Sequence, residues 1–365
     1  MKFICKNEIL SKVIQNAERV TGKNLTLPIL SNILLQTKED YLLVRSTNLN
    51  IGLEYKINVK VIEEGSVCVK GDIFSSLLSS IPKKENIEIE EVDDFIKIKS
   101  KQHEVNIKTS KNEDFPTIPY TQGDSFKIEI DKLLKAINSV SFSSSVSDIK
   151  PEISSVFMYS NNGYVYSVST DSFRLAERKT QVKNIPENLN IIIPIKNCID
   201  LVKILSNEEG SVNVTFTNNQ LSIKNDDLYI TTRVVDGTYP DYKQIVPKEV
   251  KTTVIALKNE LLEAFKLGSV VSDKFNQVIF NINPTEKVFN IKTKNNDTGE
   301  SCIEIDSTIK GNPIEVSYNL RYLTDCLNVI QSDSVCFEFL EANRPLVVKG
   351  VGDETFMSLI MPMNR

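Results

Sequence analysis

Covalent chemistry needs a nucleophile, an acid–base group or a metal held within reach of one another. This 365-residue sequence has one histidine and six cysteines to offer. His103 sits among Lys101, Gln102 and Glu104 between two strand patterns, with no nucleophile or acid partner nearby. A surface turn explains it better than a general base. A single histidine and scattered cysteines (Cys5, Cys68, Cys198, Cys302, Cys326, Cys336) cannot fill the usual zinc ligand sets. The cysteines read as reduced, buried thiols in a cytosolic protein, not as a disulfide frame. The acidic pairs Glu63-Glu64, Asp93-Asp94 and Glu208-Glu209 fall in turns or at strand edges, where solvation accounts for them. With no Gly-rich phosphate loop, no G-x-S-x-G and no H-E-x-x-H, no catalytic residue, metal or cofactor is expected.

What remains is non-covalent chemistry. Lys12, Asn16, Arg19 and Lys23 follow spacings of 4, 3 and 4, which places them on one helix face opposite Ile9, Leu10, Val13, Ile14 and Ala17. Lys132, Lys135 and Ser139 do the same opposite Leu133, Leu134 and Ile137. Each stripe by itself is an ordinary solvated face. The segment STDSFRLAERK, 169–179, is the least core-like in the chain, because Thr170, Asp171 and Arg174 are wedged between two apolar strand patterns.

The elements that carry these residues recur. PIKNCIDLVKIL at 194–205 echoes KGDIFSSLLSSI at 70–81, an offset of 124, and NLRYLTDCLNVI at 319–330, an offset of 125. The columns Phe74/Cys198/Leu323, Leu77/Leu201/Cys326, Leu78/Val202/Leu327 and Ile81/Leu205/Ile330 are apolar at helical spacing. A second set opens on strands at Phe3, Phe126 and Val254. It continues through Leu10/Leu133/Leu261, Val13/Ala136/Ala264 and Ile14/Ile137/Phe265. Phe115-Pro116, Tyr239-Pro240 and Met361-Pro362 close the three copies. The spacing therefore predicts three strand–helix–strands–helix–strands domains at 1–120, 125–247 and 251–365.

Length agrees with that count, since one core does not grow to this size. A net charge of -5 excludes a wholly basic nucleic-acid coat but leaves room for a basic surface on one face. No apolar run is long enough to span a bilayer, and the first residues enter a strand pattern with no signal-peptide plan.

On this repeat, STDSFRLA resembles the T-D-G-H-R-L-A segment of the bacterial DNA polymerase III beta subunit family, the sliding clamps. GTYPDY at 237–242 resembles that family's G-x-[FY]-P-[DN]-Y, and TLPILSN at 26–32 and the terminal Met361-Pro362-Met363 also match. Ser172-Phe173 stands where the family has Gly-His, and the chain ends Asn364-Arg365 where many members have Arg and an apolar residue.

The resemblance implies an α+β fold of three repeated domains, each with two helices packed on antiparallel sheets, and a head-to-tail homodimeric ring around double-stranded DNA. It implies a processivity factor, not an enzyme. The partners would be the replicative polymerase subunit, an ATP-driven clamp loader and other proteins with a clamp-binding motif, in the cytoplasm on the nucleoid and away from membranes. Duplex DNA would face Lys12, Arg19, Lys23, Lys132, Lys135, Lys150, Lys196, Lys203, Lys266 and Arg321. A partner-peptide pocket would be built from Ile153, Thr170, Arg174, Leu175, Pro240, Ile245, Asn319, Tyr322, Pro345, Leu346, Met361, Pro362 and Met363. Val105 and Ile107 of one chain would meet Val270 and Val271 of the other. The competing expectation is a non-catalytic adaptor with the same repeat and no DNA inside it.

Overall fold

The computed structural model describes residues 1–22, 26–145, 147 and 149–363. Lys23 and the Asn364-Arg365 terminus lie outside the described residues. Six α-helices are present among the described residues: α1 (Asn7–Arg19), α2 (Gly71–Ser80), α3 (Ile130–Ser141), α4 (Ile195–Leu205), α5 (Lys258–Val270) and α6 (Leu320–Val329). Each begins at the residue after a strand ends, the strands closing at Lys6, Lys70, Glu129, Pro194, Leu257 and Asn319. The residue before α1, α2, α5 and α6 keeps an extended backbone, so the switch from strand to helix takes place within one peptide unit. Of these four, only α6 has a side-chain cap, supplied by Asn319.

The repeat columns are core columns. Phe74, Cys198 and Leu323 are all fully buried, as are Leu10, Leu133 and Leu261, and Ile14, Ile137 and Phe265. Equivalent positions in three copies thus do the same job, which is to seat a helix on its sheets. Leu77 and Val202 are half-buried and mark the edges of that face. In the third copy the space is filled by rings around Phe280. Phe289, Tyr318 and Phe337 each meet it edge-on, at centroid separations of 5.1, 5.6 and 5.7 Å.

The chain divides into two compact units, and the division cuts through the second repeat. The first unit comprises Met1–Asp131 with Lys183–Asp236, and the second comprises Lys132–Val182 with the chain from Gly237 onward. Within the first unit, the strand Leu228–Arg233 pairs antiparallel with Ile51–Asn58, opposing Leu228 to Tyr55. Thirteen strands thereby form one sheet. Within the second unit, Arg174–Gln181 pairs antiparallel with Phe356–Ile360, opposing Arg174 to Ile360. Both pairings cover backbone donors and acceptors that an edge strand would leave open.

The structure also departs from the sequence expectations. Asn16 and Ser139, expected on solvated faces, are buried: Asn16 Nδ2 donates to Tyr55 Oη at 2.9 Å, and Ser139 Oγ to the Lys135 carbonyl at 2.6 Å. Ile9, expected inward, is exposed. Polar residues that find a partner inside can displace an apolar one from the core face. The chain ahead of α2 forms three successive strands, Ile51–Asn58, Lys60–Glu63 and Gly65–Lys70. Cys302 is exposed and Cys336 half-buried, while Cys5, Cys68, Cys198 and Cys326 are buried. Burial pushes the Cys5, Cys68 and Cys326 thiols up to about 12.

Candidate docking groove and basic helix faces

Thr170 ends one strand and Arg174 begins the next, so 171–173 must turn the chain. Asp171 Oδ1 accepts from the backbone N–H groups of Phe173 and Arg174, both at 2.9 Å. Thr170 Oγ1 donates to the Arg174 carbonyl at 2.6 Å and accepts from the Ser172 N–H at 3.1 Å. These bonds hold Ser172 at φ 78°, in the left-handed region that glycine enters most easily. Glycine in the related motif T-D-G-H-R-L-A thus has a conformational reason.

The turn fixes the far end of the chain. The Met361 N–H donates to the Phe173 carbonyl and the Met363 N–H to the Ser317 carbonyl, both at 2.8 Å. The preceding strand opposes Ile360 to Arg174 on one side and to Leu346 on the other. Two residues beyond Ser317, Asn319 caps α6: its Oδ1 accepts from the N–H groups of Arg321 at 2.9 Å and Tyr322 at 3.3 Å. Thr170, Arg174, Leu175, Asn319, Tyr322, Leu346, Met361, Pro362 and Met363 are thereby brought into one neighbourhood. Leu175, Pro345 and Leu346 are buried, and Met361, Pro362 and Met363 are half-buried.

Arg174 is the centre of charge. Its Nε donates to Asp171 Oδ2 at 3.0 Å and its Nη1 to Asp325 Oδ2 at 2.7 Å. The guanidinium lies 4.4 Å from the ring centre of Tyr322 and 5.5 Å from that of Phe142. Burial and the neighbouring Asp171 carboxylate raise the Tyr322 phenol above its ordinary range. Asp325 and Phe142 are the residues that sequence reasoning missed here. Asp325 follows Tyr322 by three on α6, a spacing that puts both on one side of the helix.

Ile153, Pro240 and Ile245 are joined to this group less directly. The Ile153 carbonyl accepts from the Ser145 N–H at 3.1 Å, close to the end of the segment that carries Phe142. Pro240 and Ile245 are exposed and flank Tyr242, which is buried. The Tyr242 hydroxyl donates to the Glu177 carboxylate and lies 2.7 Å from that of Tyr159. Burial first, and Glu177 second, hold the Tyr242 phenol strongly in its neutral form.

The basic residues are placed on exposed helix faces or in a loop. In the first unit Lys12, Arg19, Lys196 and Lys203 are exposed, yet acids sit among them. Lys12 Nζ lies 3.1 Å from Glu208 Oε1. Asp200 is raised by burial, against the lowering pull of Lys203 and Arg19. In the second unit Lys132, Lys135, Lys150, Lys266 and Arg321 are exposed, and Lys135 Nζ donates to Gln331 Oε1 at 2.8 Å.

Val270, at the end of α5, is 76% exposed and Val271 half-buried. Val105 is half-buried, whereas Ile107 is only 7% exposed, since its strand opposes it to Ile96 within the same sheet. Of this strand pair, Val105 thus presents more of its side chain at the surface than Ile107 does.

The fold and site define a clamp-type protein. Three family models of the DNA polymerase III beta subunit match in series: the N-terminal domain at 1–119, the central domain at 127–241 and the C-terminal domain at 243–364. The chain belongs to the DNA polymerase III beta subunit family. The beta sliding clamp of Vibrio cholerae is 27% identical over the whole of both chains, and that of Staphylococcus aureus 25% identical over 100% of this chain and 99% of its own. Among solved structures, the Bacillus subtilis DNA polymerase sliding clamp superposes with a TM-score of 0.93 at 26% identity, covering 100% of this chain and 99% of its own. The Pseudomonas aeruginosa DNA polymerase III beta subunit gives 0.94 at 25%, covering both chains fully. The chain is thus a sliding clamp, a non-catalytic processivity factor of DNA polymerase III. Among the described residues, no helix is long and apolar enough to cross a membrane.

Proposed function

We propose that two copies of this chain close head to tail into a ring that encircles duplex DNA without reading its sequence, and that the groove around Arg174 tethers the replicative polymerase by a short peptide. The threefold repeat carries this reading, because it sets equivalent helices with exposed Lys and Arg side chains in every copy. Phosphate contacts from such side chains are sequence-independent and let a ring slide, whereas base-edge contacts would pin it. Acids among the bases, such as Glu208 and Asp200, keep the grip weak, so that retention comes from closure. The exposed Val270 supports a contact with the Val105 edge of a second copy, brought together twice by a twofold axis. The domain boundaries 1–120, 125–247 and 251–365 fit the three copies.

Half-buried Met361, Pro362 and Met363 beside buried Leu175 and Leu346 offer an adaptable apolar surface to short peptide motifs. The same groove would serve other partners and the ATP-driven loader, which would open the ring in the cytoplasm, at the nucleoid. The deciding experiment loads the protein on nicked circular DNA with a clamp loader and then linearises the circle. The expected result is retention on the circle and loss from the free ends. Equal retention on both forms would defeat encirclement and favour a plain adaptor.

A further inference from the structure

We infer that Asp325, with Asp171, sets the charge preference of the docking groove, so that Arg174 donates to a neutral peptide oxygen and disfavours a peptide carboxylate. The inference rests on the docking role proposed above. An isolated arginine at the mouth of a peptide groove would ordinarily attract acidic ligands. Arg174 is not isolated. It is bonded to Asp171 at 3.0 Å and to Asp325 at 2.7 Å, so one cation faces two anions. Its side chain is 11% exposed, those of Asp171 and Asp325 14% and 31%. Water therefore screens this cluster less than it would a surface pair.

Arg321, the other charge close to Tyr322, is exposed on the first turn of α6, where solvent weakens its effect. A peptide carboxylate entering the groove would become a third anion around a guanidinium already compensated. A backbone carbonyl or a side-chain amide can still accept from the guanidinium without adding charge. The Tyr322 ring on one side and the two carboxylates at the edge also fix the guanidinium before the peptide arrives, which lowers the ordering cost of binding. Asp325 thus acts through Arg174, as a positioning residue that also determines specificity.

The test uses the full-length protein and a synthetic fluorescent peptide from the replicative polymerase of the same genome. Matched versions carry a single Asp or a single Asn at each position in turn, and affinity is read by fluorescence polarisation. The wild type should bind one Asp peptide about tenfold more weakly than its Asn twin, and Asp325→Asn should shrink that ratio to about twofold. Asp171→Asn is the second variant, expected to shrink the same ratio, and it decides the matter should Asp325→Asn unfold. A ratio that stays at tenfold in the folded variants, or an Asp penalty absent from every position of the wild type, overturns the inference while leaving docking intact. No binding of any peptide to the wild type overturns the docking reading and this inference together.

Discussion

Arg174 Nη1 and Asp325 Oδ2 meet at 2.7 Å although 151 positions separate them in sequence. The contact joins the turn after Thr170, in the second repeat, to α6 in the third. Replacing Arg174 by Ala would leave the Asp325 carboxylate 31% exposed without its partner, and would remove the cation stacked on Tyr322. Arg174→Ala combined with Met363→Ala is expected to abolish polymerase-peptide binding while the dimer persists in sedimentation. Unchanged peptide affinity would refute the assignment of the groove.

Ser172 occupies φ 78° without being glycine. An L-residue in the left-handed region costs about 1–2 kcal/mol, part of which glycine's greater freedom in the unfolded chain takes back. Ser172→Gly should therefore stabilise the protein by about 0.5–1 kcal/mol, read as a raised urea midpoint at constant slope. A lowered midpoint would show that the extra freedom glycine gives the unfolded chain outweighs the relief at this φ.

How far the molecule could be read from its sequence follows from which forces are local. Phe74, Cys198 and Leu323 announce the three cores because helical spacing is a property of neighbouring residues, and all three are buried. The strand–helix junctions were legible on the same ground, whereas the groove residues came from the resemblance of short motifs such as STDSFRLA. Asn16 was misplaced because its partner, the Tyr55 hydroxyl, lies on a distant strand. Asp325 was missed for a similar reason: its meaning depends on Arg174, which no spacing rule connects to it. The continuation of sheets across repeats, at Leu228 with Tyr55 and Arg174 with Ile360, was likewise invisible. Edge pairing is decided by three-dimensional proximity and leaves no periodic trace.

Arg178, buried, donates from Nη1 to Asp353 Oδ2 at 2.9 Å. Burial pulls Asp353 upward, but bonds from Thr355 and Arg178 outweigh it, and its carboxyl lies below the usual value of 3.8. The sign follows: a group lowered on folding stabilises the protein above the unfolded value and loses that contribution as pH falls through the folded one. Solvent reaches Asp353, so the contribution is of order 1 kcal/mol or less. Asp353→Asn should lower the Tm at pH 7, and the gap to wild type should close as pH falls below the usual carboxyl value of 3.8 and through the lowered folded one. A gap independent of pH would assign the effect to packing.

Val270 closes α5 and leaves its apolar side chain 76% exposed. Val270→Glu should convert the dimer to monomer in analytical ultracentrifugation, with little change in Tm, since exposed sites away from special features shift stability by about 0.5 kcal/mol or less. Retention on circular DNA should be lost with it. A dimer that survives the added charge would place the contact elsewhere.

Tyr242 ties the segment carrying Pro240 and Ile245 to the strand that begins at Arg174, because its hydroxyl donates to Glu177 and meets that of Tyr159. Phenylalanine keeps the ring and removes only the bridging oxygen, so Tyr242→Phe isolates the network from the packing. Glu177 and Tyr159 would each lose a partner in a partly buried site, at a cost of about 1–3 kcal/mol. Loosening this segment frees Pro240 and Ile245 at the groove's rim, so peptide affinity should also fall several-fold. Guanidinium unfolding and peptide titration on the same preparation separate the two effects. Lost stability with unchanged affinity would show that Pro240 and Ile245 stand outside the groove.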